Sequence, residues 1–359
     1  MRDQDTWVQR VNTRLDQFIT DRESIVREVS PDLEPFIDFS RQFLSGGKRF
    51  RARCALLGYG TQHESTPDHV IDIASALEIF HAAALVHDDI MDKSDTRRGA
   101  PSAHRRFEKL HRESGWAGTS EDFGTSSALL FGDLLLAFSD ELFSNGIAAE
   151  ANRQAVRASR IEFDRMRIDV TAGQYLDIVE ERAWPVIDKL DALTRAQRVV
   201  VYKSAKYSIE APLVIGAALG GASPEQLASL RAIGLPLGIA FQLRDDLLGV
   251  FGDPEVTGKP AGDDLREGKR TVLIALAQQE LPATAIRLMD ELLGDPDLDE
   301  AQIAMLQATL TNTGAVDKLE QVIDEQVLLA QKAIASAGFS ELATAGLTQL
   351  AALVSQRAS

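Results

Sequence analysis

Residues 71–92 read IDIASALEIFHAAALVHDDIMD, an apolar stretch that runs unbroken into three carboxylates. Ile73, Leu77, Phe80, Ala84 and Met91 recur at intervals of three, four and seven residues, the signature of one face of an α-helix. The spacing predicts a core-facing helix whose end carries Asp88, Asp89 and Asp92. Asp88 and Asp92 stand four residues apart, project from one face and repel by about 0.2–0.5 kcal/mol even when solvated. Two readings stay open at this point, a solvated acidic face and a cation site. If a cation binds, oxygen donors with no nearby Cys or spaced His pair select Mg2+, Mn2+ or Ca2+ over zinc. Mg2+ takes one or two carboxylates and completes its shell with water and phosphate, so a phosphorylated substrate is the natural partner.

Working outward, the same periodicity fills most of the chain. Arg97-Arg98-Gly99-Ala100-Pro101 should end the first helix and swing two guanidinium groups back toward the carboxylates. A polar, Gly-rich connection is expected between His111 and Ser127. Helical patterns follow over 128–142, 148–178, 188–219 and 224–249, then a loop over 252–269 with four Gly and two Pro, then helices from Thr271 onward. With 6% aromatic residues and little Val, Ile or Thr alternation, the fold class is all-α. No repeat or linker divides the chain, so one large helical bundle over residues 1–359 is expected.

The net charge of −16 and a pI near 4.9 exclude an extended nucleic-acid surface, since no basic stripe can neutralise a run of phosphates. A single cysteine, Cys54, excludes an intrachain disulfide framework and reads as a small buried hydrophobe in a reducing compartment. Met1-Arg2-Asp3-Gln4-Asp5 mixes charges with no apolar core behind it and does not read as a signal peptide. No uncharged apolar run approaches the roughly 18 residues of a membrane span, and a cytoplasmic protein is expected.

A second acidic cluster lies in Phe241-Gln242-Leu243-Arg244-Asp245-Asp246-Leu247-Leu248-Gly249, again near the end of an apolar helix. The following loop carries Asp253, Lys259, Asp263, Asp264 and Lys269. Two such helix ends, if brought face to face, could let Mg2+ bridge a diphosphate while Lys and Arg neutralise its outer oxygens. Gly46-Gly47-Lys48-Arg49-Phe50-Arg51 places three cations within four residues behind flexible glycines, suited to a phosphate held without metal.

Gly46 to Arg51, His81, Asp88 to Asp92 with Arg97-Arg98-Gly99, Lys203-Ser204, and Phe241-Gln242 with Asp245-Asp246 through Lys259 and Gly268-Lys269 together resemble the ordered motifs of the trans-isoprenyl diphosphate synthases, the polyprenyl synthetase family. The motifs span residues 46–271, leaving N-terminal helices in 1–45 and C-terminal helices in 272–359. The resemblance, nearest to geranylgeranyl diphosphate synthases, implies an all-α bundle of the isoprenoid synthase type with a central substrate cavity, assembled as a homodimer. It implies condensation of isopentenyl diphosphate with dimethylallyl, geranyl or farnesyl diphosphate. It also implies three Mg2+ ions per site, with Mn2+ able to substitute, held by Asp88, Asp89 and Asp92 on one side and Asp245 and Asp246 on the other. Arg97, Lys203 and Lys259 match allylic diphosphate positions, and Lys269 matches a further substrate-binding position. Lys48, Arg51, His81 and Arg98 match the isopentenyl diphosphate site. Ser204, where the family usually has Thr, and Gln242 match groups along the developing allylic cation.

Catalysis of this kind needs positive charge where the leaving diphosphate gains electrons, and no nucleophilic Ser or Cys. In the family the released diphosphate takes the final proton. Two other readings use parts of the same pattern: a terpene cyclase, which has no need of the Gly46–Arg51 segment, and a noncatalytic subunit, which has no need of Asp88, Asp92 and Asp245. The chief departure from the family is Gly249, where the second motif commonly carries a third aspartate. Ala83 and Ala84, one turn before Asp88, leave room beneath the first cluster where the family's short-chain members carry an aromatic side chain, and Phe80 is the next large residue. A product of twenty carbons or somewhat longer is expected.

Overall fold

The computed structural model describes residues 4–97, 99–252 and 262–355. Its elements are α1 (Gln4–Val29), a short 3-10 turn (Pro31–Leu33), α2 (Glu34–Leu44), α3 (Phe50–Gly60), α4 (Asp68–Met91), a hairpin of two-residue strands β1 (Thr96–Arg97) and β2 (Ala100–Pro101), α5 (Ala103–Ser114) and α6 (Ser120–Ala148). Then come α7 (Arg153–Ala183), α8 (Ala192–Val199), a π-helical segment (Val200–Glu210), α9 (Ala211–Leu219), α10 (Pro224–Phe251), α11 (Asp263–Glu267), α12 (Val272–Glu280), α13 (Ala283–Leu292), α14 (Glu300–Asn312), α15 (Ala315–Ser336) and α16 (Glu341–Ser355). The protein is all-α, as its composition predicts, and its contacts gather into two compact units.

In the first unit, Met1–Arg160 with Ile215–Ala222, α4 is the core helix. It packs against α6, α3 and α1, and α5 packs on α6. By length and composition α4 could cross a bilayer, although Glu78 interrupts its apolar run as the sequence shows. Its most apolar 18-residue window has a mean hydropathy of 1.5, and 72% of that window is buried within the protein. A helix apolar on all sides and covered by neighbours is a core helix. Rings of Phe36, Phe39 and Phe43 on α2 meet Phe107 on α5 and Phe131 on α6 at centroid separations of 4.8–6.4 Å. Cys54 is buried on α3 and its thiol is pushed up to about 12 by burial, in keeping with a packing role. The connection expected to reach Ser127 is shorter, because α6 begins at Ser120 with Glu121 and Asp122 in its first turn. Acidic residues there complement the partial positive charge of a helix start, a signal outweighed in the sequence by Gly124 and the serines around it.

In the second unit, Ile161–Val214 with Ser223–Ser359, α10 packs against the π segment, α15 and α16. Its start is set by a capping box. Ser223 Oγ accepts from Gln226 N–H, Gln226 Oε1 accepts from Ser223 N–H at 2.9 Å, and Pro224 fills the first turn. The π segment was not legible in the periodicity of 188–219, yet its neighbours are matched to it. A β-carbon at Gly173 would lie 2.2 Å from Lys203 N, and one at Gly238 would lie 2.3 Å from the Ala205 carbonyl oxygen. Both helices approach this backbone more closely than any side chain allows.

Candidate active site

The first carboxylates are delivered by the last turn of α4. Lys93 adopts the left-handed conformation (φ 55°), so Ser94 N–H donates to the Asp89 carbonyl at 2.9 Å and Asp92 N–H to the Asp88 carbonyl at 2.8 Å. This Schellman closure fixes Asp88 and Asp92, both half-buried, beside the carbonyl end of the helix. Backbone dipole and carboxylates there add to one negative potential that favours a cation. Asp89 differs from its neighbours. Fully buried, it accepts from Arg97 Nε at 2.8 Å and from Arg97 Nη2, which also stands 3.5 Å from Asp88 Oδ2. The predicted return of a guanidinium to the carboxylates is therefore found for Arg97, whereas Arg98 lies outside the described residues.

Nearby on the same unit, α3 packs against α4. Lys48 is exposed, Arg51 is half-buried in the first turn of α3, and His81 is half-buried on α4. Arg49, between the two cations of the motif, is instead buried. Phe80 and Ala83 are buried, Ala83 completely, while Ala84 retains access. His87 is accounted for by packing, its Nε2 lying 3.3 Å from the Leu129 carbonyl oxygen of α6.

The second acidic cluster belongs to the other unit. Asp245 is exposed and Asp246 is buried, with Gln242 Nε2 donating to Asp246 Oδ1 at 2.8 Å. Burial pushes the Asp246 carboxyl up to about 8; Asp264 and Asp245 push the same way, while the Gln242 hydrogen bond and Lys269 oppose them. At Gly249 a β-carbon would lie 2.0 Å from Asp264 Oδ2 and 2.4 Å from its carboxyl carbon. The space that a third aspartate of the motif would occupy is thus taken by a carboxylate delivered from α11. Lys269 Nζ lies 3.5 Å from Asp264 and 2.6 Å from Glu267. Asp253 and Lys259 lie outside the described residues.

Lys203 and Ser204 sit on the π segment, half-buried, and Lys203 Nζ donates to Asp177 of α7. One turn beyond, Glu181 has its carboxyl pushed up to about 6, first by burial and then by Asp177, against Lys203 and Lys269. Neither Asp177 nor Glu181 was singled out from the sequence. Gly173, alone inside an otherwise regular helical pattern, is the signal that marks the close approach of α7 to Lys203. Among the described residues no three Asp, Glu, His or Cys groups converge into a ready-made metal cage. Asp88 and Asp92 in the first unit, and Asp245 with the Asp264 that fills the space at Gly249 in the second, each offer only hard carboxylate oxygen, the donor type that suits Mg2+ shared with phosphate.

Residues 35–310, which include every cluster just described, match the model of the Polyprenyl synthetase family. The chain belongs to that family. It is a trans-prenyltransferase, as its motifs imply. The fold is similar to a geranylgeranyl pyrophosphate synthase from Corynebacterium glutamicum, solved with isoprenyl diphosphate and magnesium, at a TM-score of 0.92 and 36% identity over 99% of both chains. A geranylfarnesyl diphosphate synthase of Aeropyrum pernix is 33% identical over 281 residues, 77% of this chain and 79% of the relative. Geranylgeranyl pyrophosphate synthase 3, chloroplastic, of Arabidopsis thaliana is 33% identical over 73% of this chain and 69% of the relative.

Proposed function

We propose that this prenyltransferase condenses isopentenyl diphosphate with a five-, ten- or fifteen-carbon allylic diphosphate to give geranylgeranyl diphosphate or a somewhat longer all-trans product. The observation that carries the reading is the capped last turn of α4, which keeps Asp88 and Asp92 accessible at a negative helix end while Asp89 secures Arg97. Asp88, Asp92 and Asp245 are assigned to diphosphate-bound Mg2+, three ions by likeness to the family with Mn2+ able to replace them. Asp246 and Asp264 support Asp245 from its own unit. When bound, Mg2+ neutralises the leaving diphosphate as a Lewis acid.

The chain's own residues do the rest. Heterolysis of the allylic carbon–oxygen bond leaves the electron pair on the diphosphate, where Arg97, Lys203, Lys259 and Lys269 meet the growing charge. Gln242 turns its amide nitrogen to Asp246, which leaves its carbonyl oxygen for the electron-poor carbon, and the Ser204 hydroxyl oxygen serves the same end. Lys48, Arg51, His81 and Arg98 hold isopentenyl diphosphate so that its double bond attacks that carbon. The new carbon–carbon bond forms, and the proton lost from the adduct passes to the released diphosphate.

Small side chains on α4 support a long product, because Ala84 keeps an accessible face and the next large residue on that face is Phe80, two turns below Asp88. Exposed Leu129 and Leu130 on α6, and exposed Ile161, Ile168 and Tyr175 at seven-residue spacing on α7, are apolar faces suited to a second copy of the chain. A cytoplasmic enzyme is the setting that the reducing-compartment cysteine supports. The test is purified protein with Mg2+, isopentenyl diphosphate and each primer in turn, followed by sizing of the products. Absence of metal-dependent elongation with every primer overturns the reading.

A further inference from the structure

The turn that carries Lys48 and Arg51 holds a backbone conformation that its sequence does not favour. Gly46 and Gly47 have φ of 67° and 86°, as glycines readily do, but Arg49 is also left-handed at φ 49°. A non-glycine residue held there is strained and persists only where its surroundings over-determine it. Arg49 is also the N-cap of α3, and no side chain of the turn caps that helix. The first amides of α3 therefore need acceptors from elsewhere.

One buried carboxylate on α4 contributes to both. Glu78 is 7% exposed, and its Oε1 accepts from Ala52 N–H, in the first turn of α3, at 2.9 Å. Its Oε2 lies 3.8 Å from Arg49 Nη1. Arg49, 5% exposed, also donates from Nε to Asn12 Oδ1 at 2.7 Å and from Nη2 to the Leu44 carbonyl. Residues 49 and 52 are thus pinned by the same side chain, and Arg51 lies between them. Lys48 is fixed on one side by Arg49. His81, three residues after Glu78, shares its face of α4.

We infer that Glu78 is a positioning residue for isopentenyl diphosphate: through Arg49 and the Ala52 amide it sets the places of Lys48, Arg51 and His81. The inference rests on the assignment of those three residues to the isopentenyl diphosphate site. It predicts a selective effect. The first cluster, Asp88 and Asp92, is held by its own cap at the far end of α4, so primer binding does not depend on Glu78.

Steady-state kinetics on the full-length enzyme tests this with both substrates varied. Glu78→Gln keeps the shape and the acceptor for Ala52 but loses the charge facing Arg49. At 3.8 Å the Glu78–Arg49 contact is an ion pair and not a hydrogen bond, so its loss loosens the turn, and KM for isopentenyl diphosphate should rise about 3- to 10-fold. KM for the allylic primer and kcat should stay within about twofold, since the lost contact touches neither. Arg49→Lys, which keeps the charge but lacks the fork, should show the same selective rise and supplies a second arm should Glu78→Gln fold poorly. Proportional changes in both KM values, or no change in either variant, overturn the inference. Lys48→Ala and Arg51→Ala separate the two levels. If they raise KM for isopentenyl diphosphate and the Glu78 and Arg49 variants do not, the inference alone falls. If they do not, the assignment of the site falls and the inference with it.

Discussion

Asp89 is fully buried and spends its carboxylate on the Arg97 guanidinium, although it sits between two aspartates that remain accessible. The three acidic residues of the first cluster therefore do different work. Asp88→Ala and Asp92→Ala should leave the fold intact and lower kcat by about 10²–10³-fold, the scale for losing charge stabilisation at a leaving group. Asp89→Ala removes the closer carboxylate from a half-buried guanidinium and leaves it the 3.5 Å approach to Asp88, at a cost of about 1–3 kcal/mol. Its melting temperature should fall by several degrees, while Asp88→Ala and Asp92→Ala melt close to the parent. Equal melting temperatures for all three variants would remove the distinction.

Ala83 and Ala84 read alike in the sequence but not in the fold. Ala83 is completely buried, so Phe there would overpack the core at about 1–3 kcal/mol. Ala84 keeps access on the face that carries Phe80 and Asp88. Ala84→Phe should shorten the product by at least one five-carbon unit with little loss of stability, whereas Ala83→Phe should lower the melting temperature. Chromatographic sizing of products from both variants checks this. An unchanged product distribution in Ala84→Phe would place the growing chain on another face.

Much of this was legible because helical periodicity and charge clusters are local. The helix over 71–92 ends at its aspartates as predicted, and the second acidic cluster falls in the penultimate turn of α10. What escaped the sequence depends on contacts between distant segments. Asp177 meets Lys203 only because α7 packs on the π segment, and the π turn itself leaves no mark on hydrophobic spacing. Glu78 sits within an apolar helix with nothing in its sequence neighbours to mark it, because its partners Ala52 and Arg49 lie on α3 and at its N-cap. Gly249 looked like a lost carboxylate, although the residue that fills its place lies 15 positions further on in the chain, at Asp264.

Asp246 makes the metal-free enzyme sensitive to pH. Its carboxyl is raised from 3.8 to about 8, chiefly by burial. Between those values the folded chain holds a proton that the unfolded chain has released, so this contribution is fully present at low pH and is lost as pH rises toward 8. In EDTA, the urea midpoint should fall between pH 6 and about 8.5 and then level off. Asp246→Asn should flatten that slope. Mg2+ with inorganic pyrophosphate should restore stability at the high end, because bound metal favours the ionised carboxylate. Equal slopes in parent and variant would rule out Asp246 as the source.

Gly249 and Asp264 should behave as one position. A β-carbon at 249 overlaps the Asp264 carboxylate, the far end of a side chain that can rotate away. Gly249→Ala should therefore displace Asp264, and with it Lys269, raising the Mg2+ concentration needed for half-maximal turnover. Asp264→Ala should do the same by removing the carboxylate. Gly249→Asp adds a charge beside Asp245, one turn away, and Asp246, and should be worse while Asp264 is present. In the double variant Gly249→Asp, Asp264→Ala, the carboxylate is supplied from the helix, and the Mg2+ requirement should return toward that of the parent. Residues in contact typically couple by about 0.5–3 kcal/mol, so the double-mutant cycle should depart clearly from additivity. Losses that simply add would mean that the two positions serve different ends.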